Sequence, residues 1–313
     1  MNIVSAFFKL IRWPNLVFIA LTQMLFRFFV LRFVYKNGPG DFENIRLSLP
    51  LFYCLVFASV CIAAAGYIIN DYFDVNIDLI NKPAKLIVDR YIKRRWTIVW
   101  HIVLSFIGLI ISCYVGYELR NFFIPLFNFA AIIALWFYST TFKKKLLIGN
   151  IIISLLTAWV ILVFAFSEYR FHIISPDIYW KRLIKVSFIY AGFAFVISLI
   201  REVIKDMEDM QGDAKYGSTT MPIIWGLQVS KVFVAVWIVV IIGGVAGVQI
   251  YVIQSGWWLS ALYSLFSIII PFIWILRKLY AAQSPKDFHQ LSNAVKLVML
   301  TGILSMIFFL KFY

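Results

Sequence analysis

The sequence predicts an all-α integral membrane protein, a bundle of nine transmembrane helices with its N-terminus inside and its C-terminus outside. Three observations predict it. Of 313 residues, 63% are hydrophobic and only 14% charged, with a mean hydropathy of +0.88, well beyond the roughly half-apolar usage of soluble domains. Apolar stretches of about 20 residues recur along the whole chain, each long enough to cross a hydrocarbon core roughly 30 Å thick. Lysine and arginine alternate between rich and poor connecting segments, as membrane orientation requires.

Taken in order, the first span covers about residues 13 to 35, after Lys9 and Arg12. No small-residue cleavage site follows it, and Arg27 and Arg32 interrupt its end, so it reads as a retained helix and not a signal peptide. The two arginines are expected to snorkel to the outer interface, or, for Arg27, to pair within the bundle. Further spans fall at about 50 to 69, 97 to 117, 121 to 141, 147 to 167, 183 to 204, 229 to 252, 257 to 277 and 293 to 311. Together they leave no room for a soluble domain, so residues 1 to 313 are expected to form one transmembrane domain.

With the N-terminus inside, the inner segments carry Lys82, Lys85, Arg90, Lys93, Arg94 and Arg95, then Lys143, Lys144 and Lys145, then Arg201, Lys205 and Lys215. The outer segments are poorer by roughly two to one, the loop between spans five and six being a mild exception. The formal net charge of +14 is therefore topological, spread between apolar spans, and no nucleic-acid partner is expected. Cys54, Cys61 and Cys113 lie in apolar stretches without metal spacing and are expected to pack. His101, His172 and His289 have no partner spacing.

Only 15 residues are acidic, yet six aspartates form two tight groups after spans two and six. The first, NDYFDVNID, holds Asn70, Asp71, Asp74 and Asp78; the second, KDMEDMQGD, holds Asp206, Asp209 and Asp213. In both, aspartates stand at i, i+3 and i+7, which places them on one helical face. Three like charges beside a bilayer repel and resist desolvation, so they mark a functional site compensated by cations. Hard oxygen donors, with Asn70 adding a neutral carbonyl, favour Mg²⁺, which binds through a few carboxylates together with substrate phosphates.

Four spans separate the groups, an even number of crossings, so both stripes are expected on the same membrane face, and a parallel repeat of spans one to four and five to eight is expected with span nine added. The basic residues after each stripe are of the type that neutralises a departing diphosphate.

The residues resemble the UbiA superfamily of intramembrane prenyltransferases. Its first motif, N-D-x-x-D-x-x-x-D, is matched by Asn70, Asp71, Asp74 and Asp78. Its second is matched by Asp206, Asp209 and Asp213 with Gly217, Thr220, Met221 and Pro222. Asn81-Lys82-Pro83, Tyr138-Ser139, Lys143 to Lys145 and Gly149-Asn150 match as well, so the resemblance covers about residues 12 to 222. It implies a nine-helix UbiA-type bundle in the cell membrane, multi-pass, with an active site facing the cytoplasm.

The implied reaction is Mg²⁺-assisted ionisation of a polyprenyl diphosphate, giving an allylic cation that a prenyl acceptor attacks, with membrane lipid around it and no obligate protein partner. Asn70, Asp71, Asp74, Asp209 and Asp213 would hold the metal, while Asp78 and Asp206 would be further ligands or bases. Lys85, Tyr138, Lys143, Lys144 and Lys205 would contact the diphosphate. At Lys85-Leu86 the chain departs from the family's Arg-Pro pair, which leaves the role of Lys85 open. Tyr67, Tyr72 and Phe73 border the first stripe and are candidates for shielding the cation.

The run INDYFDVNIDLINKP looks most like the branch that prenylates glycerol phosphate ethers. Branches acting on 4-hydroxybenzoate or a naphthoate share the metal motifs. A CDP-alcohol phosphotransferase would need glycine and arginine where Asp74 is followed by Val75-Asn76-Ile77. A secondary transporter would place its charges near the midplane, and these stripes begin at span ends.

Overall fold

The computed structural model describes residues 2–35, 45–81, 83, 86–169 and 178–312. Lys82, Lys85, Arg170 and His172 lie outside them, so the phosphate contact expected of Lys85 does too. A short helix, α1 (Ile3–Leu10), precedes nine helices that are, among the described residues, long and apolar enough to cross a membrane. These are α2 (Trp13–Tyr35), α3 (Leu49–Asn81), α4 (Arg94–Glu118), α5 (Phe123–Thr140), α6 (Ile148–Ser167), α7 (Ile178–Lys215), α8 (Gly226–Gln254), α9 (Trp258–Ala281) and α10 (Pro285–Leu310). Span count and order agree with the sequence; the main difference is length. The helices of spans two and six are longer than the predicted spans, because α3 and α7 run on without a break through the acidic stripes.

Local chemistry sets the boundaries. The Asn2 side chain accepts from the Ser5 amide at 2.9 Å and caps α1. Pro14 sits in the first turn of α2, where its missing N–H leaves nothing unpaired. Ser284 and Asp287 form a reciprocal capping box at the start of α10, with Pro285 at its first position. α7 ends at Lys215, two residues before Gly217, whose φ of +71° belongs to the left-handed region that terminates helices.

The chain divides into two compact units. The first comprises residues 1–142 and 159–190, the second 143–158 and 191–313. In the first, Phe26 and Phe52 both pack against Phe164, with ring centroids 6.0 and 5.6 Å away. α4 approaches α3 closely at Gly108, where an added Cβ would lie 2.7 Å from Ile62 Cγ1. In lipid no hydrophobic force joins helices, so such small-residue contacts and interhelical hydrogen bonds do, the bonds at about 0.6 kcal/mol each. Asn128 supplies two: it donates to Ser112 Oγ at 2.8 Å and accepts from Trp159 Nε1 at 2.8 Å.

Arg27 does not snorkel. It lies in a π-helical turn, Phe26–Leu31, that interrupts α2, and it is buried with its guanidinium 5.8 Å from the Phe52 ring. Cys61 is buried as expected, whereas Cys113 is exposed.

The second unit is cored by Val203, Ile204, Met207, Met221, Val234, Ile238, Phe272, Phe288 and Val295. Here the C-terminal half of α7 packs with α8, α9 and α10.

Candidate active site

In the first unit, the end of α3 presents the predicted stripe. Asp74 is buried while Asn70, Asp71 and Asp78 are partly exposed. Asn70 turns its amide nitrogen to Asp74 Oδ2 at 2.8 Å. That leaves Asn70 Oδ1 buried with no hydrogen-bond partner, an uncommon state for a buried acceptor. A neutral amide oxygen held open beside carboxylates is the donor set of a hard divalent cation, so these residues fit Mg²⁺.

Asp71 is met by Arg12, whose Nη2 stands 2.6 Å from Asp71 Oδ1. Arg12 occupies a left-handed turn, φ 51°, between α1 and α2, which aims its side chain at α3. Asp71 above all, with Tyr67 and Asp78 adding to it, holds the guanidinium pKa above its ordinary value against the opposing effect of burial.

Two of the three aromatic candidates already carry a guanidinium. Arg12 lies 5.2 Å from the Tyr67 ring centroid and Arg94 4.5 Å from that of Tyr72. Arg94 also donates to the Tyr72 carbonyl at 3.2 Å. Phe73 stacks edge-on with Trp136 at 6.0 Å, and Tyr138 is in the last turn of α5, partly buried.

In the second unit, Asp206, Asp209 and Asp213 share one face of α7 and are all partly buried. Asp206 Oδ2 accepts from Asn150 Nδ2 at 2.8 Å, so the asparagine of the Gly149-Asn150 pair reaches across from α6. Lys205 pairs with Glu202 at 2.9 Å, and Glu202 also binds Arg201 at 3.0 Å.

Lys143 and Lys144 lie in a 3₁₀ turn, Phe142–Lys144, after α5. Thr219 ties that turn down: its amide and its hydroxyl both donate to the Lys144 carbonyl, at 2.7 and 2.9 Å. The Gly217–Pro222 motif is thereby a brace for the lysine turn. Behind the stripe, Glu208 Oε1 meets His289 Nδ1 of α10 at 2.9 Å, a partner for a histidine that spacing had left without one.

Among the described residues, no three carboxylate, imidazole or thiol groups converge on one metal position. The groups that sequence reasoning missed are Arg12 as partner of Asp71, Asn150 as partner of Asp206, and Glu202. Glu202 carried a signal, a carboxylate inside the apolar run ISLIREVI, and Asn150 one as a motif match with Gly149, though not as a partner of Asp206.

Comparison with known proteins follows the same lines. The pattern of the UbiA prenyltransferase family matches residues 14–300. The digeranylgeranylglyceryl phosphate synthase of Methanothermobacter thermautotrophicus is 31% identical over 232 residues, covering 74% of this chain and 70% of that protein. Its counterpart in Methanosphaera stadtmanae is 30% identical over 258 residues, covering 81% and 86%.

Among solved structures, one of digeranylgeranylglyceryl phosphate synthase superposes with a TM-score of 0.63 at 23% identity over 98% of both chains. A UbiA homologue from Archaeoglobus fulgidus bound to GPP and Mg²⁺ does so with 0.57 at 15%, over 96% and 99%. At such identities the likeness is one of fold. The matched pattern spans most of the chain and includes both aspartate motifs, and the chain belongs to the UbiA prenyltransferase family.

Proposed function

We propose that this protein transfers a polyprenyl group from a polyprenyl diphosphate to the hydroxyl of a glycerol phosphate ether lipid, with Mg²⁺ as cofactor. The observation that carries the reading is the Asn70–Asp74 pair, which holds a hard oxygen donor open at the start of the first aspartate stripe. The named relatives, both digeranylgeranylglyceryl phosphate synthases, support the acceptor class.

Residues 1 to 313 act as one transmembrane domain in the cell membrane, N-terminus inside and C-terminus outside, with the chemistry at the cytoplasmic face. The positive-inside bias supports that orientation. No protein partner is needed.

In the first unit, Asn70, Asp71 and Asp74 are the metal ligands we assign; in the second, Asp209 and Asp213. Mg²⁺, when bound, neutralises diphosphate charge and weakens the bond to the allylic carbon. That bond's electron pair leaves with the diphosphate, which Tyr138, Lys143, Lys144 and Lys205 hold. The acceptor oxygen forms the new bond to carbon, and its proton passes to Asp206, which Asn150 orients, or to Asp78. Lys85 is a further diphosphate contact.

The test is prenyl transfer by purified protein given geranylgeranyl diphosphate and Mg²⁺, with the glycerol phosphate ether and 4-hydroxybenzoate offered separately. EDTA and an Asp74→Ala, Asp209→Ala double variant are the controls. Metal-dependent product with the ether, lost in the variant, is the expected result. Product with 4-hydroxybenzoate alone overturns the acceptor, and metal-independent transfer overturns the site.

A further inference from the structure

We propose that α1 and the segment 87–96 together form a docking surface for anionic phospholipid headgroups at the membrane interface. Ala6 and Leu10 of α1 are buried in one cluster with Ile87, Val88 and Ile92 of the segment and Ile68 and Val75 of α3. Phe7 adds a ring contact to Trp100 of α4 at 4.9 Å. The helix and the segment are thus one packed body.

The other face of α1 is bare. Val4 and Phe8, one turn apart and opposite Ala6 and Leu10, are 60% and 50% exposed, and Ile3 is 70% exposed. An eight-residue helix has no stability of its own in water, and one that turns apolar residues outward is suited to the boundary between headgroups and acyl chains. Trp96 and Tyr91, also exposed, are residues enriched at that depth.

Charge selects the occupant. Lys9, Arg90, Lys93 and Arg95 are all exposed, and among the described residues none forms an ion pair. Asp89 is the acid of the segment, and its carboxylate is already engaged, accepting from the Arg94 amide at 3.2 Å. Uncompensated cations beside outward apolar side chains match phosphate above acyl chain, and a zwitterionic headgroup offers them no net charge. The surface adjoins Arg12 in sequence but uses none of the residues assigned to prenyl transfer, so it stands whether or not that reading holds.

The full-length protein is reconstituted in nanodiscs of phosphatidylcholine mixed with phosphatidylglycerol, and the lipids retained after detergent exchange are counted by native mass spectrometry. Phosphatidylglycerol is expected to be enriched about fivefold for each cation engaged. Enrichment should fall in the K9Q, R90Q, K93Q, R95Q variant, and on the wild type at high salt, since exposed charges are screened. Equal retention of the two lipids overturns the proposal. So does enrichment that survives both the variant and high salt, which would put the anionic lipid in a buried site elsewhere. If the variant does not fold, the salt series on the wild type decides alone.

Discussion

Arg12 Nη2 lies 2.6 Å from Asp71 Oδ1, so a cation of the protein stands on the carboxylate assigned to the metal. The two compete for the same lone pairs. Arg12 is 37% exposed in its side chain, so the pair is worth about 1 kcal/mol at most, small beside metal coordination. An Arg12→Gln variant is therefore expected to bind Mn²⁺, used as a probe, about fivefold tighter in the absence of diphosphate by isothermal titration. Unchanged or weaker affinity would show that Arg12 does not compete at Asp71. Asp71→Asn should weaken metal binding in the same titration.

The Asn150–Asp206 bond makes a prediction for turnover. A hydrogen bond to a charged group is worth about 1.5–3 kcal/mol, and here it orients a candidate base. Asn150→Ala should lower kcat by roughly 10- to 100-fold with little change in KM for the prenyl diphosphate. Asn150→Asp sets a second carboxylate 2.8 Å from the first and should lose more. If both variants raise KM and leave kcat alone, Asn150 serves substrate binding and Asp206 is not the base.

Glu168, just beyond α6, supplies the pH dependence. It is 3% exposed, and its two oxygens accept from the Arg46 and Leu47 amides at 2.9 and 3.1 Å. Arg46 in turn donates to the Tyr169 carbonyl at 2.6 Å and to the Leu119 carbonyl. Burial raises the Glu168 pKa, more than those two amides and the neighbouring Arg27 and Arg46 lower it. For an acid whose folded pKa lies above its unfolded one, the folded state binds the extra proton. Its contribution to stability is greatest below the unfolded value and declines as pH rises through the folded one.

Glu168→Gln, which cannot ionise, should remove that slope from a thermal unfolding series in detergent. Glu168→Ala leaves the buried Leu47 N–H without an acceptor, at about 1–3 kcal/mol, and the part-buried Arg46 N–H as well, and should lower Tm at every pH. A wild-type slope that persists in Glu168→Gln would place the titration elsewhere.

The contrast between what was legible and what was not follows from range. The i, i+3, i+7 stripes were readable because helical periodicity is local, and the nine spans because a bilayer imposes length and hydropathy on each helix separately. The partners of those residues were not. Arg12 and Asp71 are 59 positions apart, Asn150 and Asp206 56, and Glu208 and His289 81. Such pairs depend on how helices pack, which a single sequence does not encode by spacing. For Arg27 the sequence left both the interface and the bundle interior open, and packing decides between them by burying it beside Phe52.

The last case is Thr219, where a motif residue acts through the main chain. Its amide and hydroxyl converge on the Lys144 carbonyl, fixing the turn that carries Lys143 and Lys144. Thr219→Val keeps the amide bond and removes only the hydroxyl. Because Thr219 is exposed, the loss in stability should stay within about 1 kcal/mol. Its effect belongs on substrate binding, since a looser turn holds its two ammonium groups less well for a diphosphate. The expected outcome is a KM for prenyl diphosphate several-fold higher with kcat nearly unchanged, and Thr219→Ser should restore it by returning the hydroxyl. A Thr219→Val enzyme with wild-type KM would show that the amide bond alone suffices to place the lysine turn, and a fall in kcat at constant KM would move the role of that turn from holding the diphosphate to the chemical step.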